Sequence, residues 1–546
     1  MTKTRNRWIG LVFISMAISL VIIDGTIVNT IFPKVIETLK LTSTQIQWVQ
    51  ESYVLIFASL LLVWGSVADR IGRRRLLIIG ILIFVAASVW AGFSVDANGM
   101  ILARILQGIG GSMVLPTTLS LVNANFQGKE RGIAFAVWGA TIGGMVAVGP
   151  VLGGWLATSF GDEGWRWAFN INLPLGLLVV AGLAYWVAES KQDHREGGID
   201  VVGAGISVVM FLTLVFGLIE GRVYGWWLVN QNQFAIGDFK WATEGISIIP
   251  ISLAISALSF TAFVLWERAR DRAHKNVLLD LDLFRIRSFR NGSIAALIIS
   301  MGEFGILFAI PLWLQNVQGL SPIDSGLVLL WLAGGAFVAS GISGGLSGKI
   351  SPVTAVRAGA ILETLAVAGI ALVATPTATW GSFAPFLFVY GLGIGMATAQ
   401  LTGVIMIDVP QSKAGQGSGS QSTVRQIGSA LGIAVIGTTL FTATQASLDA
   451  RLADIGASTA TNDFVSNGVV DSAGGIIPSL NQILTTPHAP FAVTQQVATK
   501  ITDAAGAAFS DGAKWAALSA AVFLLIGFLS TLRLGSKLHS EGSHHE

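Results

Sequence analysis

The chain has 546 residues, 53% of them hydrophobic and 12% charged, about half the charged share of an ordinary soluble domain. Its net charge of +2, with no basic stretch interleaved with stacking aromatics, argues against a nucleic-acid partner. Cysteine is absent, which removes disulfides and thiolate chemistry.

Apolar runs of about 20 residues recur along the chain and predict membrane spans. The start, MTKTRNRW, has the basic character of a signal peptide. No small-residue cleavage site follows, and the run contains Asp24 and Pro33, so it reads as a retained first span. Runs bounded by charges, Gly/Pro or polar clusters give fourteen helices. The first eight cover 8–32, 46–66, 76–95, 99–121, 131–157, 167–187, 200–220 and 245–266. Six more cover 291–315, 324–346, 354–374, 382–406, 417–442 and 514–533. With the N-terminus in the cytoplasm, the alternate loops on that side hold 23 of the 33 Lys and Arg and the outer loops hold 8, Arg104 and Arg425 lying inside spans. That bias is the positive-inside pattern and agrees with cytoplasmic termini. A multi-pass protein of the plasma (inner) membrane is expected. The fold class expected is an all-α polytopic membrane protein.

Taken in order, the first span carries Asp24 within DGTIVNTIFP, and the second carries Glu51 within WVQESYVL. The loop after the second span, GSVADRIGRRRLL, has the spacing G-x-x-x-D-R-x-G-R-R over Gly65, Asp69, Arg70, Gly72, Arg73 and Arg74. Its glycines permit a tight reversal. Asp69 can pair with an arginine and also face the N-terminus of a neighbouring helix, where negative charge is favoured. The fourth span, LARILQGIGGSMVLP, places Arg104 in the membrane, where it needs an acidic partner or a wet cavity. The fifth carries GATIGGMVAVGPVLGG, with Gly149, Pro150, Gly153 and Gly154 permitting close packing and a bend. WRWAFNINLPLG then leads into the sixth span.

Midway, ERARDRAHKNVLLDLDLFRIRSFR (267–290) suits an interfacial amphipathic helix joining two halves, or a solvated linker. Glu303 lies near the middle of the ninth span, roughly 18 Å from either end at 1.5 Å per residue. Glu363 is also mid-membrane, but no motif surrounds it and it reads as structural. Glu220 and Asp408 sit at span ends, where water can satisfy them. Arg425 reads as a structural or gating cation. The segment 443–513 reads as a long polar outer loop, and 534–546 as a cytoplasmic tail.

Asp24, Glu51 and Arg104 all fall about 8–12 Å inside the outer ends of their helices. That common depth suggests one polar cavity, in which Arg104 competes with a proton or a cation for the carboxylates. Burial strengthens a carboxyl's hold on its proton and a nearby cation weakens it, which is what proton exchange requires. Each of these charges could also be a structural ion pair. Most of the 17 tryptophans belong to interfacial belts, among them Trp8, Trp165 and Trp167. Trp138, Trp313 and Trp331 lie deeper and either line a pocket for a cationic ligand or serve packing. The glycine-rich runs lack the lysine and preceding strand of a P-loop. No metal-ligand spacing and no nucleophile–base constellation is found, so no enzyme chemistry and no cofactor is expected.

These stretches together resemble the major facilitator superfamily and, more narrowly, its fourteen-helix drug:proton antiporter family. The loop at Gly65 to Arg74 resembles the superfamily's signature loop, and L-x-R-x-x-Q-G at Leu102 to Gly108 its helix-4 proton-transfer motif. G-P-x-x-G-G at Gly149 to Gly154 resembles the antiporter motif, and D-x-T-I-V-N at Asp24 to Asn29 the drug-exporter motif. RQIGSALG at Arg425 and LWLQNVQGLSP, which contains Gln315, match further family stretches. The loop after helix 10, GGLSGKISPVTAVR, departs from the pattern by lacking the acid and the arginine cluster.

The resemblance implies alternating access between two six-helix bundles, 1–190 and 291–533, with two inserted helices in 191–266. It implies a monomer that uses protons as the coupling ion. Asp24, Glu303 and Arg104 would handle the proton. Asp24, Glu51, Trp138, Trp313, Gln315 and Trp331 would meet the substrate. The loop residues Gly65, Asp69, Arg70, Gly72, Arg73 and Arg74, the fifth-span residues Gly149, Pro150, Gly153 and Gly154, and Arg425 would serve the conformational change. The substrates implied are amphipathic cations, with export of one endogenous neutral or anionic metabolite, or a non-transporting membrane sensor, as alternatives.

Overall fold

The computed structural model describes residues 2–41, 43–191, 200–229, 233–236, 239–345, 350–456, 458–486 and 491–534. The tail after 534, most of 191–199 and residues 346–349 of the loop after the tenth predicted span lie outside them.

Every predicted span coincides with helix, although several ends move. The first group is α1 (Thr2–Leu39), α2 (Ser43–Ile71), α3 (Arg73–Gly92), α4 (Ala97–Asn125), α5 (Gly128–Ser159), α6 (Gly164–Asn170) and α7 (Asn172–Trp186). A hairpin follows, α8 (Val201–Tyr224) and α9 (Ile248–Arg272), with a two-residue antiparallel ladder between them that pairs Ala235 with Lys240 and Ile236 with Phe239. The last group is α10 (Arg287–Asn316), α11 (Pro322–Gly345), α12 (Pro352–Val373), α13 (Trp380–Met406), α14 (Ala414–Ile455), α15 (Thr459–Asp471), α16 (Ile477–Leu484) and α17 (Gln495–Thr531). Among the described residues, twelve helical segments are long and apolar enough to cross a bilayer, and α11 adds a shorter apolar stretch, Ile323–Ala339.

Packing divides the chain. Helix α1 packs on α4, α5 and α7, and α4 packs on α2 and α3. In the last group α10 packs on α14 and α17, and α12 on α13 and α17. The α8–α9 hairpin rests on both sides through α8, against α2 and α14. The groups also meet directly where α2 packs on α14 and α5 on α11 and α13.

Two expectations are corrected. The segment 443–513 is not an open loop. Helix α14 continues to Ile455 because no Gly or Pro interrupts FTATQASLDARLADI, and it stops at Gly456, whose φ of +71° supplies a left-handed cap. Helix α17 likewise begins at Gln495, well before the apolar run, on an alanine-rich stretch. The joining segment 267–290 is not one amphipathic helix. Helix α9 runs on to Arg272, a short 3₁₀ turn covers Leu281–Arg285, and α10 starts at Arg287. The segment is docked: Glu267 accepts from the backbone N–H groups of Leu278 (3.0 Å) and Leu279 (3.4 Å), and Asp280 pairs with Lys413.

Candidate functional site

The fourth helix arranges its motif around its circumference. Arg104 and Gln107, three residues apart, share the face toward α1. Gly108 and Gly111 let α2 approach, since a Cβ at Gly108 would lie 2.9 Å from the Tyr53 carbonyl. The result is a closed polar cluster around Asp24, which is 1% exposed, as is Arg104. Arg104 Nη1 donates to Asp24 Oδ2 at 2.6 Å and to Gln107 Oε1 at 2.7 Å. Gln107 Nε2 donates to Asp24 Oδ1 at 2.7 Å, and Asn172 Nδ2 reaches the same oxygen at 3.3 Å. Asn172 also donates to Ser88 Oγ at 2.9 Å. Arg104 Nε donates to the Val49 carbonyl, and the guanidinium lies 4.2 Å from the Tyr53 ring centroid. A charge pair this deep persists because further donors and acceptors hold both ends.

Glu51 is not in this cluster. Val49 and Tyr53, four residues apart, face Arg104, and Glu51, two residues from each, points to the other side of α2. There its carboxyl neighbours that of Glu220 on α8. The expectation that water satisfies Glu220 at a span end is also corrected: α8 extends to Tyr224, and Glu220 is 0% exposed.

The last group contains a second buried pair. Glu303 Oε2 accepts from Arg425 Nη2 at 3.3 Å, Oε1 accepts from the Thr398 hydroxyl, and Tyr390 donates to the Glu303 backbone carbonyl at 3.2 Å. Arg425 is thus the partner of a carboxylate in the middle of the bundle.

The loop at Gly65 to Arg74 joins the two groups. Asp69 accepts from the N–H groups of Gly415 (2.8 Å) and Gln416 (3.1 Å) at the start of α14, and from Arg73 at 2.8 Å. Arg73 also donates to the Gln411 carbonyl and to Ser190 Oγ. A Cβ at Gly65 would lie 2.6 Å from the Gly415 carbonyl oxygen and the Gly419 Cα, so α2 and α14 touch backbone to backbone. Gly72, with φ +109°, makes the whole turn between α2 and α3, and its missing Cβ leaves room for the Glu189 carboxylate. That carboxylate accepts from the N–H groups of Arg74 and Arg75. Arg74 itself donates to the Val187 carbonyl at the end of α7, and Arg70 is half-buried at the end of α2. In the counterpart loop Arg357 instead donates to the carbonyls of Thr531, Leu532 and Leu534. On α5, Gly149 and Gly153 face α1 at Thr26 and Ile27, and Gly154 faces Ile323 of α11.

The aromatic candidates separate. Trp138 is buried and donates to Thr118 Oγ1 at 3.3 Å. Trp313 is buried, donates to Ser510 Oγ at 3.0 Å and packs on Phe383. Gln315 is half-buried, while Trp331 is 47% exposed and lines a cleft with Trp380 and Asp324. Trp165, expected at a membrane edge, is 0% exposed.

Sequence reasoning did not single out Asn172, Tyr53, Thr398 or Tyr390, took Gln107 only as part of the helix-4 motif, and placed Glu220 at a span end satisfied by water. Gln107 carried a usable signal, its three-residue spacing from Arg104. Asn172 had a weaker one, an amide at the break between α6 and α7. Thr398 and Tyr390 had none, because their role depends on how α13 meets α10.

The chain has relatives among known proteins. It is 33% identical over 465 residues to a puromycin resistance protein of Streptomyces alboniger, covering 83% of this chain and 85% of that one. It is 28% identical over 481 residues to the multidrug resistance protein Stp of Mycobacterium tuberculosis, covering 87% and 84%. The crystal structure of the human organic anion transporter MFSD10 superimposes with a TM-score of 0.58 at 11% identity, over 96% of this chain and 99% of that one, a likeness of fold alone. A family model described as Major Facilitator Superfamily matches residues 14–433. With the two buried charge pairs and the α2–α14 latch in the positions described, the chain belongs to the Major Facilitator Superfamily.

Proposed function

We propose that the protein is an efflux antiporter that exports amphipathic, cationic drugs or toxic compounds in exchange for protons, by alternating access. The observation that carries this reading is the Asp24–Arg104 pair, buried at 1% exposure and completed by Gln107 and Asn172. A proton arriving on the Asp24 carboxylate cancels its charge and frees Arg104. Loss of that proton restores the pair. A cationic substrate competes with Arg104 for the same carboxylate, so proton and substrate occupy the site in turn. The names of the relatives, a puromycin resistance protein and a multidrug resistance protein, support drugs as the cargo.

The reading includes fourteen membrane spans, counting α5 and α11 with the twelve apolar segments. Both termini lie in the cytoplasm of the plasma membrane, and the working unit is a monomer without cofactor. On that orientation the Asp69–α14 latch holds the cytoplasmic ends of the two halves together. Purified protein in liposomes carrying an imposed pH difference, offered ethidium and separately an anionic dye, tests the proposal. Proton-driven ethidium movement that stops when the pH difference is collapsed supports it. Ethidium movement without proton movement contradicts the antiport, and movement of the anionic dye alone contradicts the cationic cargo.

A further inference from the structure

Glu363 is the one acidic side chain among the described residues that is 0% exposed and has no hydrogen-bond partner on either carboxyl oxygen. It lies near the middle of α12, about 16 Å from either end at 1.5 Å per residue. Its charged neighbours are Glu303 from α10 and Arg425 from α14. From α13 come the buried Tyr390, which also faces Glu303, and Gly393, where a Cβ would lie 2.5 Å from Glu363 Cγ. Helix α17 also packs on α12, and its Asp511 is engaged by Arg451 and Ser447. One arginine is therefore the cationic neighbour of two buried carboxyl groups. In this arrangement it is on Glu303, together with the Thr398 hydroxyl.

We propose that Glu363 is a second proton-carrying carboxyl of the transport cycle, sharing Arg425 with Glu303. The inference rests on the proton-coupled export reading above. An ionised carboxylate buried without any donor costs several kcal/mol, so the member of the pair that has neither Arg425 nor another donor holds a proton instead. Here that member is Glu363. With the cavity open to the outside, Arg425 rests on Glu303 and Glu363 takes a proton from outer water. With the cavity open to the inside, Arg425 crosses to Glu363, the Glu363 O–H bond breaks and its proton leaves to inner water, while Glu303 stays ionised, held by the Thr398 hydroxyl and cavity water. The return of Arg425 to Glu303 readies Glu363 for the next proton from outside. One proton is thus carried inward by Glu363 in each cycle. Tyr390, touching the Glu303 backbone and facing both carboxyls, is placed to keep them in one compartment.

The test measures the ethidium gradient that a fixed pH difference sustains in proteoliposomes with the membrane potential clamped at zero. Glu363→Gln, which imitates the protonated carboxyl, removes one proton from the cycle. The gradient then falls about tenfold for each unit of pH difference, since one proton moved across one pH unit is worth ~1.4 kcal/mol. Glu363→Asp keeps the wild-type gradient. An unchanged gradient in Glu363→Gln overturns this inference, whereas a wild type that builds no proton-driven gradient overturns the export reading. If Glu363→Gln does not fold, infrared spectra of wild type and Glu363→Asp decide. A protonated-carboxyl band that shifts in Glu363→Asp is the expected result, and spectra with no shifted band overturn the inference.

Discussion

Asp24 accepts three hydrogen bonds in a region without solvent, and Arg104 is the charged donor among them. Breaking a buried pair by removing one member leaves an uncompensated charge and costs about 3–5 kcal/mol, more than the intact pair contributes. Arg104→Ala is therefore expected to lower thermal stability in detergent strongly. The double variant Asp24→Asn with Arg104→Gln, which removes both charges and keeps amides in the cluster, recovers most of that stability without recovering transport. Equal melting of the single and double variants would contradict the pairing. At this scale the sequence was legible where spacing along one helix carries the information. Arg104 and Gln107 share a face by their separation alone. Glu51 was assigned to the wrong partner because depth along a helix says nothing of direction around it, and the two-residue offset from Val49 and Tyr53 turns it toward Glu220.

At the scale of elements, glycines set how close helices come. Gly65 and Gly419 bring α2 and α14 into backbone contact, and Asp69 then sits at the N-terminus of α14. The chain contains no cysteine, so single introduced thiols report this contact without background. A cysteine at Ser418, a buried position against the Pro116 carbonyl, is expected to react slowly with a maleimide. Adding Asp69→Asn weakens the charge-assisted bonds that close the contact and is expected to raise that rate several-fold. An unchanged rate would show that the glycine contact alone holds the helices together. On α5, Gly154→Leu would drive a side chain into Ile323 of α11. Overpacking of this kind costs about 1–3 kcal/mol and should reduce transport while leaving the Asp24 cluster intact, to be read by transport rate beside thermal stability. The helices themselves were legible, because apolar length marks them. The C-terminal end of α14, the N-terminal end of α17 and the docked segment after α9 were not, since polarity there resembles a loop and only tertiary contact makes it structure.

At the scale of the whole molecule, each group of helices holds an arginine–carboxylate pair between its helices, Asp24–Arg104 in the first and Glu303–Arg425 in the last, besides the Asp69–Arg73 pair of the loop, and α8 bridges the groups with Glu220 turned toward Glu51. Each interhelical pair consists of elements distant in sequence, so its position follows from the superfamily's packing and not from local pattern. The motifs announced that packing; the amides, hydroxyls and second carboxyl that complete each site came only with it. The most direct test compares wild type with Asp24→Asn in proteoliposomes, measuring ethidium export driven by a pH difference and ethidium exchange at equal pH. Asp24→Asn is predicted to lose the proton-driven component, leaving rates indistinguishable with and without the pH difference. Proton-driven export at the wild-type rate in that variant would contradict the account.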